Sequence, residues 1–413
     1  MKKIALLLLV TIAAGCDWMY GVTERTERNS KLPGGHNSGS SRTEASDTTH
    51  SASPHAPDTV VWACAVQVPD DYYWPRDTAM GAMGGQLLLF RNNEKVLSLP
   101  IGSAGRLSPN PASHHLREGH LYTEYAGPSG TVVMRDGEVL CSYEGREVLK
   151  GFIVKDGSFY SLGMDLDDYA LVLRKEGEIM LRIAEGTVFG GIGERVPALY
   201  EDKGHICFSY HVGNTCYHVE DGTIGSPNSP GAVAEVEDFR HIDGIPYLLF
   251  RYGNKLYLRT GTVRSVLGSA SDLADDFALF RAGGEIFAAG SSYQGQKPCT
   301  VIRDMEGSNA FTFEGASLFL YESGGKIFGI SPERPVRVQF APASPPATGK
   351  TLFSDDGAFF FSKGCGAAFG GSIYLGISEA GGKPYLLKDG RKIREYDING
   401  YVSGVEVTVS LPN

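Results

Sequence analysis

Basic residues are outnumbered in this chain: 38 Lys and Arg stand against 48 Asp and Glu, a formal net charge of −10 over 413 residues, with no basic run. Nucleic acid and anionic lipid surfaces, which are held by clustered positive charge, are therefore not expected as partners. After residue 16 there is no apolar run of the ~20 residues that a membrane-crossing helix needs. Cysteine is sparse. Cys16 is followed only by Cys64, Cys141, Cys207, Cys216, Cys299 and Cys365, with no C-x-x-C pair, which leaves out close-spaced metal knuckles and dithiol redox motifs. An even set permits disulfides in an oxidising compartment, yet the scatter fits buried thiols and fixes no pairing. The chain has no Gly-x-Ser-x-Gly elbow, no His-Glu-x-x-His and no phosphate loop, so those well-marked classes of enzyme are excluded.

What the chain has is a repeat. A turn ending in Gly followed by an apolar or aromatic strand occurs at Glu118-Gly119, Asp156-Gly157, Lys203-Gly204, Asp243-Gly244, Gly283-Gly284, Gly324-Gly325 and Gly370-Gly371, spaced 38 to 47 residues apart. A second hairpin signal follows each of these, as at Asp136-Gly137, Glu176-Gly177, Asp221-Gly222, Gly261 and Asp389-Gly390, with an early copy at Leu87 to Val96. Two hairpins in a period of about 41 residues make four strands per repeat, the composition of a β-propeller blade. The fold expected is all-β, a propeller of eight four-stranded blades; seven stays open because residues 329 to 369 depart from the pattern. The strand from Thr59 leaves a linker with no partner before it. Val405, Val407, Val409 and Leu411 alternate with Glu406, Thr408 and Ser410, so a C-terminal strand can complete the first blade and close the ring.

Three segments follow: 1–15, 16–57 and the propeller, 58–413. Met1-Lys2-Lys3 precedes an apolar stretch from Ile4 to Ala14, too short to span a bilayer and typical of a secretory signal. Ala13-Ala14-Gly15-Cys16 resembles the lipobox of bacterial lipoproteins, with Ala where Leu is usual; the resemblance implies cleavage before Cys16 and lipidation of that residue. Residues 17 to 57 are Ser, Thr, Gly, His, Pro and charged residues, with almost nothing apolar after Tyr20. Such a segment reads as a disordered tether, with a reach of about 35 Å. Membrane contact is expected through the lipid alone.

In a propeller the 1–2 and 3–4 turns share one face, and the longer 2–3 and 4–1 connections share the other, where binding chemistry is expected. The most suggestive loop is Asp70-Asp71-Tyr72-Tyr73-Trp74-Pro75-Arg76-Asp77. Tyr72, Tyr73 and Trp74 offer flat apolar faces, and Arg76 and Asp77 offer directed hydrogen bonds, which suits a sugar ring or a peptide; the same rings would also serve to cover a neighbouring blade. Asp165, Asp167 and Asp168 could offer oxygens to Ca²⁺, without the spacing of a calcium loop. A two-residue turn at Gly213-Asn214 would put Cys207, Ser209, His211, Cys216, His218 and Glu220 on one sheet face, with Cys207 opposite Glu220 and His211 opposite Cys216. Cys207, His211, Cys216 and His218 are the candidate Zn²⁺ ligands there. No cofactor is expected, and Ca²⁺ and Zn²⁺ are the alternatives these residues leave open.

Ser354-Asp355-Asp356-Gly357-Ala358-Phe359 has Ala where the Asp box of sialidases needs Gly, and the repeats lack the Trp-Asp ending of one familiar propeller class. Strands of the Ile373-Tyr374 type followed by strands closing in Lys388-Asp389-Gly390 resemble a group of exported Gram-negative propeller lipoproteins. The resemblance spans about residues 58 to 413 at the level of the repeat and implies no catalytic residues. The expected function is a membrane-tethered, non-catalytic, monomeric scaffold in the Gram-negative cell envelope, binding a glycan or protein partner on its long-loop face. Leaflet and side stay open. The alternative is a carbohydrate-active enzyme, a glycosidase or lyase, using carboxylates on that same face.

Overall fold

A computed structural model describes residues 59–68, 85–92, 94–100, 114–127, 130–165, 167–183, 199–231, 234–269, 277–315, 319–331, 335–357, 359–360, 365–379 and 382–409. The described strands form eight antiparallel sheets arranged as the blades of a propeller. Both ends of the chain meet in blade one, where Gly400–Val409 pairs with Thr59–Gln67, with Val61 opposite Val407, and Gln86–Arg91 and Glu94–Pro100 complete the sheet. The expected closure and the count of eight both hold.

Local chemistry explains the repeat. Asp136, Asp156, Glu176, Lys203, Asp221, Asp243 and Asp389 sit at positive φ, each followed by a Gly also at positive φ. That pair of dihedrals is the two-residue hairpin turn whose twist matches the flanking strands. In the second hairpin the acidic residue has another task. Asp136 Oδ1 accepts the Leu121 N–H (2.8 Å), Asp221 Oδ1 the Ile206 N–H (2.9 Å) and Asp389 Oδ1 the Ile373 N–H (3.0 Å), while Glu176 Oε1 accepts from Phe159 (2.6 Å). Each such turn therefore clamps the start of the blade's second strand.

Blades bury their faces against their neighbours, and among the described residues an apolar cluster occupies each of the eight seams. The seam between blades eight and one packs Tyr374 and Leu386 against Ala63, Leu88, Val402 and Val405. The closing strand also ties blade one to blade two: the buried Glu406 Oε2 accepts the Gly119 N–H at 3.0 Å. Gly119 is required there, because a Cβ would stand 2.5 Å from the Trp62 ring.

Residues 329 to 369 obscured the count for two reasons. Blade seven's third and fourth strands, Val336–Pro342 and Lys350–Asp355, are joined by a longer connection whose Ala347–Thr348 pairs in parallel with Asn309–Glu314 of blade six. Blade eight opens with two short strands, Phe359–Phe360 and Gly366–Phe369, both paired to Ser372–Glu379. Among the described cysteines no disulfide forms; Cys64, Cys207, Cys216, Cys299 and Cys365 are buried. Burial pushes the Cys64 thiol up to about 12, where it is inert.

Candidate functional site

Blade four consists of Tyr200–Asp202, His205–Val212, Thr215–Glu220 and Thr223–Ile224. The turn at Gly213-Asn214 gives the register expected from the sequence: Cys207 opposite Glu220, Ser209 opposite His218 and His211 opposite Cys216. Ile206, Phe208, Tyr210 and Val219 turn towards blade three and pack on Leu162, Leu171 and Leu173. The other face looks to blade five (Glu235–Ile242, Ile245–Tyr252, Lys255–Thr260 and Val263–Ser269), where Cys216 packs with Phe239 and Leu248.

Three of these side chains converge. The donor atoms of Cys207, His218 and Glu220 lie within 4.8 Å of one another. Cys207 is fully buried, His218 is 6% exposed, and Glu220 opens to solvent beside the tight Asp221-Gly222 turn. The His218 ring stacks on His241 of blade five, centroids 3.7 Å apart and planes 12° apart. Its Nδ1 lies 3.4 Å from both the Tyr200 hydroxyl and Ser209 Oγ, whereas its buried Nε2 has no hydrogen-bond partner. Tyr200 is held in turn, its hydroxyl accepting the His241 N–H at 3.1 Å. At the mouth, His205 Nδ1 lies 2.7 Å from Asp221 and 3.6 Å from Glu220.

Burial dominates the electrostatics. It pushes the Cys207 thiol up to about 12, with the Glu220 and Asp202 charges adding to the rise. It brings His218 down to about 4, helped by His241, so the imidazole is neutral and keeps a lone pair at neutral pH. His205, exposed and hydrogen-bonded to Asp221, is shifted the other way. The cluster thus offers sulfur, nitrogen and oxygen donors around one point, two of them out of water.

The structure does not bring all the anticipated ligands together. His211 and Cys216 oppose each other nearer the Gly213 end of the hairpin and add no donor to the converging set; Glu220 takes the third place. The group also sits at the tight-turn side of the blade, not on the long-loop face. His241 and Tyr200 were missed from the sequence: the Lys203-Gly204 and Asp243-Gly244 turns are 40 residues apart, so Tyr200 is equivalent to Arg240, and its contact with His241 lies one residue out of step with the repeat. The carboxylates considered for Ca²⁺ are held by guanidinium groups, Asp165 and Asp168 by Arg182 (2.9 and 2.6 Å) and Asp167 by Arg146 (2.6 Å). Cys16 and Tyr72, Tyr73, Trp74, Arg76 and Asp77 lie outside the described residues.

Fold and site define the chain as an eight-bladed β-propeller with a mixed-donor cluster at one blade seam. No protein-family model matches the chain, and no curated protein matches it in sequence. Among solved structures it is similar to the dihydro-heme d1 dehydrogenase NirN (TM-score 0.48, 10% identity, 83% of this chain and 74% of that one). The polysaccharide lyase Uly1 gives a TM-score of 0.41 at 10% identity, over 86% of this chain and 99% of that one. Hsv2p of Kluyveromyces lactis gives 0.40 at 9% identity, over 66% and 92%. At such scores and identities none of these likenesses bears on activity or ligand.

Proposed function

We propose that this chain is a lipid-anchored, non-catalytic propeller of the Gram-negative cell envelope that binds a glycan or protein ligand, as a monomer, through its long-loop face. The observation that carries this reading is an asymmetry of connections. The four longest, between Gln67 and Gln86, Pro100 and His114, Ile183 and Tyr200, and Ile224 and Glu235, join strands two and three or bridge successive blades, and so all leave from one face. The opposite face is built mainly of two-residue turns, which present little side-chain variety. Variable loops on a rigid ring are a natural place for recognition, and the Tyr72 to Asp77 segment belongs to the longest of them.

The anchor is Cys16 in this reading, and residues 17 to 57 are the tether. Cys16→Ala should release the protein from the membrane fraction, because acyl chains are the only anchor the sequence offers. Persistence of the variant in membrane pellets washed with high salt would remove the lipoprotein reading. For the ligand face, the purified full-length chain is to be compared with its Tyr73→Ala/Trp74→Ala variant on an array of glycans and peptides. Ring stacking contributes about 0.5–1.5 kcal/mol per contact beyond burial, so the double replacement should weaken binding roughly tenfold with little change in melting. A variant that melts many degrees lower while binding undiminished would show that the two rings pack against the fold instead.

A further inference from the structure

We propose that Cys207, His218 and Glu220 form a Zn²⁺ site at the seam between blades four and five, with a fourth coordination position open to solvent on the tight-turn side. The site is separate from the long-loop face and stands whether or not that face binds a glycan. The donor set selects the ion. Thiolate, imidazole and carboxylate are each ordinary ligands of Zn²⁺, and a set of three protein ligands leaves one position for water or an exogenous ligand. Ca²⁺ and Mg²⁺ prefer shells of oxygen, and a buried sulfur and nitrogen offer them little.

Geometry and burial support the assignment beyond mere proximity. His218 is 6% exposed and its Nε2 has no hydrogen-bond partner, an unfavourable condition for a buried polar atom unless something satisfies it. The tautomer carrying its proton on Nδ1 can donate towards the Tyr200 hydroxyl or Ser209 Oγ, both 3.4 Å away, leaving the Nε2 lone pair free. A ligating His held through its other ring nitrogen is the usual outer-shell arrangement of metal sites. The His241 ring stacked on His218 at 3.7 Å fixes the imidazole plane.

The donor atoms, within 4.8 Å of one another, must close to about 3.5–4 Å around a tetrahedral ion with bonds of about 2.0–2.3 Å. Glu220 is exposed, with His205 3.6 Å away at the mouth, so its side chain is the one placed to swing inward onto the ion. On binding, the Cys207 S–H bond breaks, a sulfur–zinc bond forms, and the proton leaves to solvent. His218 and Glu220 donate lone pairs without further change, so no oxidant or reductant takes part.

The test is titration of the purified, metal-free, reduced full-length chain with Co²⁺ as a spectroscopic stand-in, followed by competition with Zn²⁺. One Co²⁺ per chain should bind with a thiolate-to-metal charge-transfer band in the near ultraviolet, and one equivalent of Zn²⁺ should abolish the band. Cys207→Ser should lose the band. Glu220→Gln, an exposed change that leaves the fold intact, should keep the band and weaken Co²⁺ binding at least tenfold. Cys216→Ser, on the same sheet face but outside the cluster, should behave like the wild type. A wild-type chain with no charge-transfer band, a band that survives Cys207→Ser, or unchanged affinity in Glu220→Gln would overturn the assignment.

Discussion

Removal of residues 402 to 413 should cost the chain its cooperative fold or lower its melting midpoint by more than about 10 °C. The deletion takes out most of the strand that pairs with Thr59–Gln67 and joins the two ends of the chain. Val402 and Val405 are 0% and 1% exposed, and full burial of such a side chain is worth about 1.5–3 kcal/mol. Loss of Glu406 also strips the buried Gly119 N–H of its acceptor, a further cost of about 1–3 kcal/mol. Together these reach about 4–9 kcal/mol, set against a net stability of about 5–15 kcal/mol for a typical domain. The seam between blades eight and one opens as well, exposing a strand edge. A truncated chain that melts like the full one by circular dichroism would rule out closure by this strand.

Arg174→Ala should be the most damaging single substitution considered, destabilising the chain by about 3–5 kcal/mol. The Arg174 side chain is 6% exposed and that of Glu147 1%. Arg174 Nη2 donates to Glu147 Oε1 at 2.6 Å, its Nε lies 3.1 and 3.2 Å from the two carboxylate oxygens, and Nη1 donates to the Gly177 carbonyl at 2.7 Å. The guanidinium also lies 3.9 Å over the Tyr143 ring of blade two, so one side chain links two blades. Truncating it leaves the Glu147 carboxylate buried and uncompensated, which is the source of the cost. Glu147→Leu/Arg174→Met, which removes both charges, should recover much of the loss, because buried ion pairs are often replaceable by apolar residues of similar volume. Denaturant unfolding of the two variants beside the wild type measures this; a loss below about 1 kcal/mol for Arg174→Ala would mean that water reaches the carboxylate in place of arginine.

The ring was legible in the sequence wherever local chemistry set it. Acidic-Gly pairs such as Asp136-Gly137 and Asp221-Gly222 encode a turn with two positive φ values, and such turns fix strand register without help from distant residues. The same logic placed Cys207 opposite Glu220 and Ser209 opposite His218. It failed where pairing depends on neighbours in space. Ala347–Thr348 is a strand only because it lies beside Asn309–Glu314, and a two-residue strand has no periodicity to read. His241 reaches His218 across a blade seam, a contact set by how neighbouring sheets stack, not by either sheet's own pattern. His211 shares a face with His218, yet distance along the strand, which alternation alone ignores, keeps it out of the converging set.

The central functional claim is that the long-loop face holds a ligand without transforming it, and the most direct measurement is the fate of glycans incubated with the purified full-length chain. Chromatography of the recovered glycans, with an assay for new reducing ends and unsaturated products, separates binding from cleavage. The expected result is retention of a glycan or peptide ligand that is recovered intact, with retention reduced about tenfold by Tyr73→Ala/Trp74→Ala. Shortened glycans appearing with turnover, or retention that the double replacement leaves unchanged, would contradict the account.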